Sequence, residues 1–121
     1  MSHACLSHPQ IVRCALDLVA TRAGDPVALV DLCHAAGVSE RTLRNAFHTV
    51  LGLSPKQYFT RHGLEMAREA LQLAHGARGA VTHVATDCGF FELGRFARAY
   101  RHQFGELPSD TLRATLVRAG H

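Results

Sequence analysis

The stretch VTHVATDCGFFELGRFARAYRHQFG, Val81–Gly105, decides the fold. Val81 to Cys88 reads as a short helix closed by Gly89, and a longer helix from about Glu92 to Phe104 ends at Gly105. Glycine suits such helix ends because it enters the left-handed backbone region at little cost. A short helix, a tight turn and a longer helix make a helix-turn-helix unit.

The same design occurs about 52 residues earlier, in LCHAAGVSERTLRNAFHTVLG, Leu32–Gly52. Leu32 matches Val84, Cys33 matches Ala85 and Gly37 matches Gly89. Past the glycine the second copy gains one residue. Leu43 then matches Phe96, Phe47 matches Tyr100, Leu51 matches Phe104, Gly52 matches Gly105 and Pro55 matches Pro108.

Working outward, helix punctuation is dense and strand alternation is nearly absent. Pro9 sits at the first turn of a helix bearing Ile11, Val12, Ala15, Leu16 and Val19, and Ala23-Gly24-Asp25-Pro26 ends it. A short apolar segment from Ala28 to Ala36 follows, closed by Gly37. Ser39 caps a helix from Glu40 to about Leu51. Ser54-Pro55 opens the longest helix, to about Ala74, with Ser54 as cap and Pro55 preset for the first turn. A loop is expected from His75 to Gly79, and Pro108-Ser109 starts a last helix to roughly Val117. The expectation is an all-α chain of seven helices, with two helix-turn-helix subdomains, 1–53 and 76–121, joined by a linker helix, 54–75. A helix from Pro55 to Ala74 would span ~30 Å, close to the ~34 Å between successive major-groove faces on one side of B-DNA. Leu64, Ala67, Leu71 and Ala74 recur along it at helical spacing and should pack against the subdomains.

The longer helix of each unit has two chemical faces. On a wheel of ~100° per residue, Arg41, Arg44, Asn45 and His48 cluster within one arc, and Leu43, Ala46, Phe47, Val50 and Leu51 lie opposite. In the second unit Arg95, Arg98, Arg101 and His102 share one side, while Leu93, Phe96, Tyr100 and Phe104 share the other. Glu40 and Glu92 stand only at the first turns, where the helix dipole favours an acid. An ordinary amphipathic helix also has a solvated face. Repetition of an acid-free basic face after a glycine turn points instead to contact with a polyanion.

Composition agrees. Of 121 residues 47% are apolar, enough for a core, and no apolar run approaches the ~18 residues of a membrane span. The polar start, Met1 to Gln10, is unlike a signal peptide, so the chain reads as cytoplasmic and without a membrane partner. The formal charge is +3, from 13 basic and 10 acidic residues. The basic excess lies after residue 38, and all the basic residues but Lys56 are arginine, whose planar fork suits phosphates and guanine edges. Cys5, Cys14, Cys33 and Cys88 form no Cys-x-x-Cys pair, and the nine histidines are scattered. Neither bound zinc nor a disulfide is expected. Cys33-His34, and Cys88 near His83, raise the thought of a metal- or thiol-using enzyme. There is no ligand constellation, phosphate loop or carboxylate pair to support one, so no catalytic residue, metal or cofactor is assigned.

Val81 to Phe90, Phe96 to Gly105 and Pro108-Ser109 together resemble the signature of the AraC/XylS family of bacterial regulators. So do Leu32, Ala36-Gly37-Val38-Ser39, Arg41, Leu43, Phe47 and Gly52-Leu53-Ser54-Pro55. The resemblance covers about residues 9–116. It implies seven helices in two helix-turn-helix subdomains, binding to double-stranded promoter DNA, and usually activation through RNA polymerase. Base-reading positions, early in each recognition helix, fall by this resemblance on Arg41, Arg44 and Asn45, and on Gly94, Arg95 and Arg98. Phosphate contacts are assigned to Ser39, Thr42, His48, Lys56, Arg101 and His102.

Some positions depart from the family pattern. Gly94 offers no side chain, and the loop before Val81 is longer than the common spacing. Phe91 and Leu93 are bulky where Ser or Gln is usual. They either pack against the core or touch thymine methyls, and the apolar face of their helix favours the core. Many members carry a sensor domain for which this chain has no room, so it is either a free-standing member or a piece of a longer regulator. The competing function is a protein-interaction module, its basic faces docked on acidic surfaces of the transcription machinery with little DNA affinity.

Overall fold

Side-chain caps set most of the helix starts in the computed structural model, which describes residues 6–22, 27–74 and 79–120. Helix α1 (His8–Thr21) starts one residue before Pro9. Its first turn is held by a reciprocal capping box, in which the Gln10 amide donates to Ser7 Oγ and the Ser7 amide donates to Gln10 Oε1 at 2.7 Å. Helix α2 (Leu29–Ala36) ends at Gly37 and α3 (Glu40–Leu51) at Gly52, with φ of 68° and 73°. Ser39 Oγ caps α3 by accepting from the Thr42 amide.

Helix α4 (Pro55–Gln72) begins with a second reciprocal box between Ser54 and Gln57. It stops two residues short of Ala74. The Leu73 and Ala74 amides bond three residues back, to Ala70 and Leu71, which tightens the chain out of α geometry. Helices α5 (Ala80–Asp87), α6 (Leu93–Phe104) and α7 (Pro108–Arg118) complete an all-α chain of seven helices, with no strand among the described residues. The expected end of the first helix at residues 23–26 and most of the loop at 75–79 lie outside the described residues.

Two compact units emerge, Met1–Phe59 and Thr60–His121. In the first, Ile11, Val12 and Ala15 of α1 meet Leu32, Cys33 and Ala36 of α2 and Leu43, Ala46 and Phe47 of α3. Phe47 is fully buried, and the rings of Tyr58 and Phe59 lie 6.0 and 5.8 Å from its centroid. In the second, Leu64, Ala67 and Leu71 of α4 pack with Ala85, Phe96 and Tyr100. Phe90, Phe96, Tyr100 and Phe104 form a chain of rings at successive centroid distances of 4.9, 5.7 and 4.7 Å. Arg68 covers the last of them, its guanidinium carbon 4.7 Å from the Phe104 centroid. The buried Tyr100 hydroxyl pairs with Thr111 Oγ1 at 2.7 Å, and Thr111 donates to the Glu106 carboxylate. No buried side-chain nitrogen or oxygen among the described residues lacks a partner.

The turns of the two units share one backbone device. The Val38 amide donates to the Cys33 carbonyl at 3.0 Å, and the Phe90 amide donates to the equivalent Ala85 carbonyl at 2.8 Å. Both bonds close the helix end around a glycine of positive φ, Gly37 and Gly89. In the second unit α4 crosses close to this turn because it carries Gly63. A Cβ on Gly63 would lie 3.0 Å from Phe90 Cε2 and 3.2 Å from the Cys88 carbonyl oxygen.

Gly63 therefore sets helix propensity against close contact. Gly→Ala inside an exposed helix gains up to ~1 kcal/mol, but crowding against a backbone carbonyl costs ~1–3 kcal/mol. Gly63→Ala is expected to lower stability in urea denaturation followed by circular dichroism. A variant as stable as the parent would show that the close approach is not required.

Candidate nucleic-acid interface

Helix α3 is held from behind by Leu43, Ala46 and Phe47, all buried. That fixes Arg41, Arg44, Asn45 and His48 on its exposed side. Val50, placed with the apolar residues by the helical wheel, is 40% exposed and belongs to the solvent side instead. Ser39 is exposed and Thr42 half-buried, and their hydroxyls are 3.1 Å apart in the cap. Lys56 is exposed in the first turn of α4.

Arg44 is not free. Its guanidinium donates to Glu40 Oε1 at 2.7 Å, with both side chains more than half exposed. Sequence reading gave Glu40 only a dipole role, yet the four-residue spacing is itself the signal for such a pair. An exposed pair of this kind is worth ~0.3–0.5 kcal/mol, so a stronger acceptor can displace it.

Helix α6 has Phe96 and Tyr100 buried, and it exposes Gly94, Arg95, Arg98, Arg101 and His102. Glu92 lies one residue outside the helix, as its N-cap. Glu92 Oε1 accepts from the Gly94 amide at 2.7 Å and the Arg95 amide at 3.2 Å. The bond from the Arg95 amide, then that from Gly94, holds the carboxyl below the ordinary glutamate range. Gly94 gives this cap its room: a Cβ there would stand 3.1 Å from Glu92 Oε1.

Phe91 and Leu93 correct the sequence reading. They are 68% and 44% exposed, so neither joins the core. Phe90 takes the interior position instead, stacked on Phe96. Neighbouring aromatic residues at a turn cannot both face inward, and the wheel extrapolated from α6 does not hold for residues at or before its first turn.

Cys14, Cys33 and Cys88 are free thiols, and Cys5 is outside the described residues. Burial pushes the Cys33 and Cys88 thiols up, with the Glu40 and Asp87 carboxylates adding to it, which disfavours nucleophilic thiolates. Among the described residues no three His, Cys, Asp or Glu side chains converge to hold a metal ion, and no helix is long and apolar enough to cross a membrane.

A family model described as a helix-turn-helix domain matches residues 32–114. The XylDLEGF operon transcriptional activator of Pseudomonas putida is 44% identical over 87 residues, 72% of this chain and 27% of that protein. The chain thus spans about a quarter of the length of such relatives. A solved structure of a probable AraC family transcriptional regulator from Rhodopseudomonas palustris aligns with a TM-score of 0.74 at 34% identity, covering 87% of this chain and 96% of that one. A transcriptional regulator with an AraC-type DNA-binding domain from Chromobacterium violaceum aligns at 0.75 with 26% identity, over 87% and 91%.

The Glu92 cap predicts a pH dependence. A carboxyl whose folded pKa is depressed contributes stability above its unfolded pKa and loses it as pH falls through the folded one. Glu92→Gln keeps an acceptor but cannot ionise. The stability advantage of the parent over Glu92→Gln should therefore be present at neutral pH and vanish below the ordinary glutamate range, read as the difference in melting temperature. A difference that does not change with pH would mean the cap acts only as a neutral acceptor.

Proposed function

The chain belongs to the AraC/XylS family of helix-turn-helix transcriptional regulators, and from that membership we propose that it binds promoter DNA sequence-specifically, one recognition helix in each of two adjacent major grooves. The observation that carries this reading is the doubled arrangement of α3 and α6. Each buries an aromatic ring, Phe47 or Tyr100, and turns a row of Arg and His outward. On this reading Arg41, Arg44 and Asn45 of α3, and Arg95 and Arg98 of α6, face base edges, with the Gly94 backbone close by. Ser39, Thr42, His48, Lys56, Arg101 and His102 take phosphates. Arg donates bidentately to guanine and Asn to adenine, which fits the side chains present. Arg44 reaches DNA by exchanging Glu40 for a base or phosphate, which the weakness of an exposed ion pair allows.

We assign transcriptional activation to the chain by analogy with the activator from Pseudomonas putida, with RNA polymerase as second partner and the cytoplasm as site of action. An electrophoretic shift with duplex DNA tests the core of the reading. Binding should weaken steeply with salt, by the release of counterions from each neutralised phosphate. Salt-insensitive or absent binding would favour a protein-interaction module instead.

Two outcomes refine it. Arg44→Ala and Arg98→Ala should each cost ~1–3 kcal/mol of affinity on a selected site and much less on random duplex; equal losses would make them phosphate contacts. Inserting ~5 base pairs between half-sites turns one groove to the far side of the duplex. Affinity should then fall to that of a single half-site, and a change within about twofold would leave only one helix reading DNA.

A further inference from the structure

Two large apolar side chains stand in water where α6 begins, Phe91 and Leu93. The core has no place for them, since Phe90, Phe96 and Tyr100 already fill it. Phe91 is also the extra residue of the second turn. Gly37 is followed by Val38 and the cap Ser39, whereas Gly89 is followed by Phe90, Phe91 and the cap Glu92. The insertion thus adds an exposed ring without adding to the interior.

The surroundings identify what this apolar edge would meet. Glu92, between the two residues, bends its carboxylate onto the Gly94 and Arg95 amides. Gly94 follows with no side chain. Arg95 and Arg98 then continue the exposed side of the helix. An exposed apolar pair at the start of a helix that turns cations outward suits a polyanion that carries apolar groups on its surface. In the duplex major groove the apolar group on a base edge is the C5-methyl of thymine.

Resting on the DNA-binding reading above, we propose that Phe91 and Leu93 form an apolar reader for thymine C5-methyl groups, giving the half-site under α6 a thymine preference beside the positions faced by Arg95 and Arg98. This assigns specificity to two exposed residues that the core does not use. It also gives Gly94 a role, since a side chain there would push on Glu92 and stand beside the apolar edge.

The test uses the 121-residue chain and duplexes selected by it from a random library. Each thymine in a selected site is replaced in turn by deoxyuridine, which deletes only the methyl. At one or two positions the parent should bind about three- to fivefold more weakly, the size expected for one buried methyl. Phe91→Ala, Leu93→Ala and the double variant should lose that sensitivity at the same positions while melting like the parent, because neither side chain touches the core. Phe91→Leu and Leu93→Met, which keep apolar bulk, should retain it. Unchanged affinity for every deoxyuridine duplex overturns the proposal. So does a double variant as sensitive to methyl deletion as the parent. A double variant with unaltered DNA affinity does too, and it hands the patch to a protein partner. Absence of any salt-dependent duplex binding by the parent fails the DNA reading itself and removes the proposal with it.

Discussion

Burial of one aromatic ring per recognition helix holds both exposed faces in place. Phe47 and Tyr100 have no accessible surface, and rings of this size bury ~150–250 Å² each. At ~25 cal/mol per Å² that is several kcal/mol of driving force on each helix. Against it stand like-charge contacts between residues three apart, such as Arg95, Arg98 and Arg101, at ~0.2–0.5 kcal/mol per pair. The apolar side wins, so the outer side can hold more cations than acids. A basic row laid on a helix with a weaker inner face would loosen the helix instead of presenting it.

The two units solve the same problem with different chemistry. Phe47 has no polar atom to satisfy, and Tyr58 and Phe59 pack edge-on or tilted around it. Tyr100 brings a hydroxyl into the interior, where an unpaired one would cost ~1–3 kcal/mol. Thr111 and Glu106, from α7 and the loop before it, satisfy that hydroxyl. The second unit thereby ties its recognition helix to α7 through a polar chain as well as through packing. Close passage of α4 past the Cys88–Phe90 turn adds a third restraint, with Gly63 at the contact, where a Cβ would stand 3.0 Å from the Phe90 ring and 3.2 Å from the Cys88 carbonyl oxygen.

Seven helices, the serine caps at Ser39 and Ser54 and the internal repeat were legible in the sequence because each depends on local chemistry, whereas the caps at Ser7 and Glu92 were not read. A serine before an apolar-periodic run, a glycine after it and a proline at the first turn act within a few residues of themselves. The burial of Leu64, Ala67 and Leu71 was legible for the same reason, as a stripe of helical period, but all three pack in the second unit's core alone and Ala74, expected in the stripe, lies past the end of α4. What escaped lies where periodicity stops. Phe91 precedes α6, so a wheel built on the helix misplaces it, and Leu93 opens the helix beyond the reach of the core. Gly63 carries no local signal, since its contact is with Phe90 and Cys88, far along the chain. The reach of α4 was overstated by two residues, because a tightened last turn leaves no mark on apolar spacing.

The acids at the two helix starts show how one residue type can serve opposite electrostatic ends. Glu40 lies inside α3 and reaches forward to Arg44, so it screens a cation that the exposed face would otherwise present. Glu92 lies just outside α6 and reaches back to two amides, so its charge is absorbed by the positive end of the helix. A single step in register, from first helical residue to cap, makes the difference. Any other acceptor for Arg44 therefore competes with Glu40, whereas Glu92 is already held by two amides. Release of Arg44 costs little, because the pair is solvated on both sides.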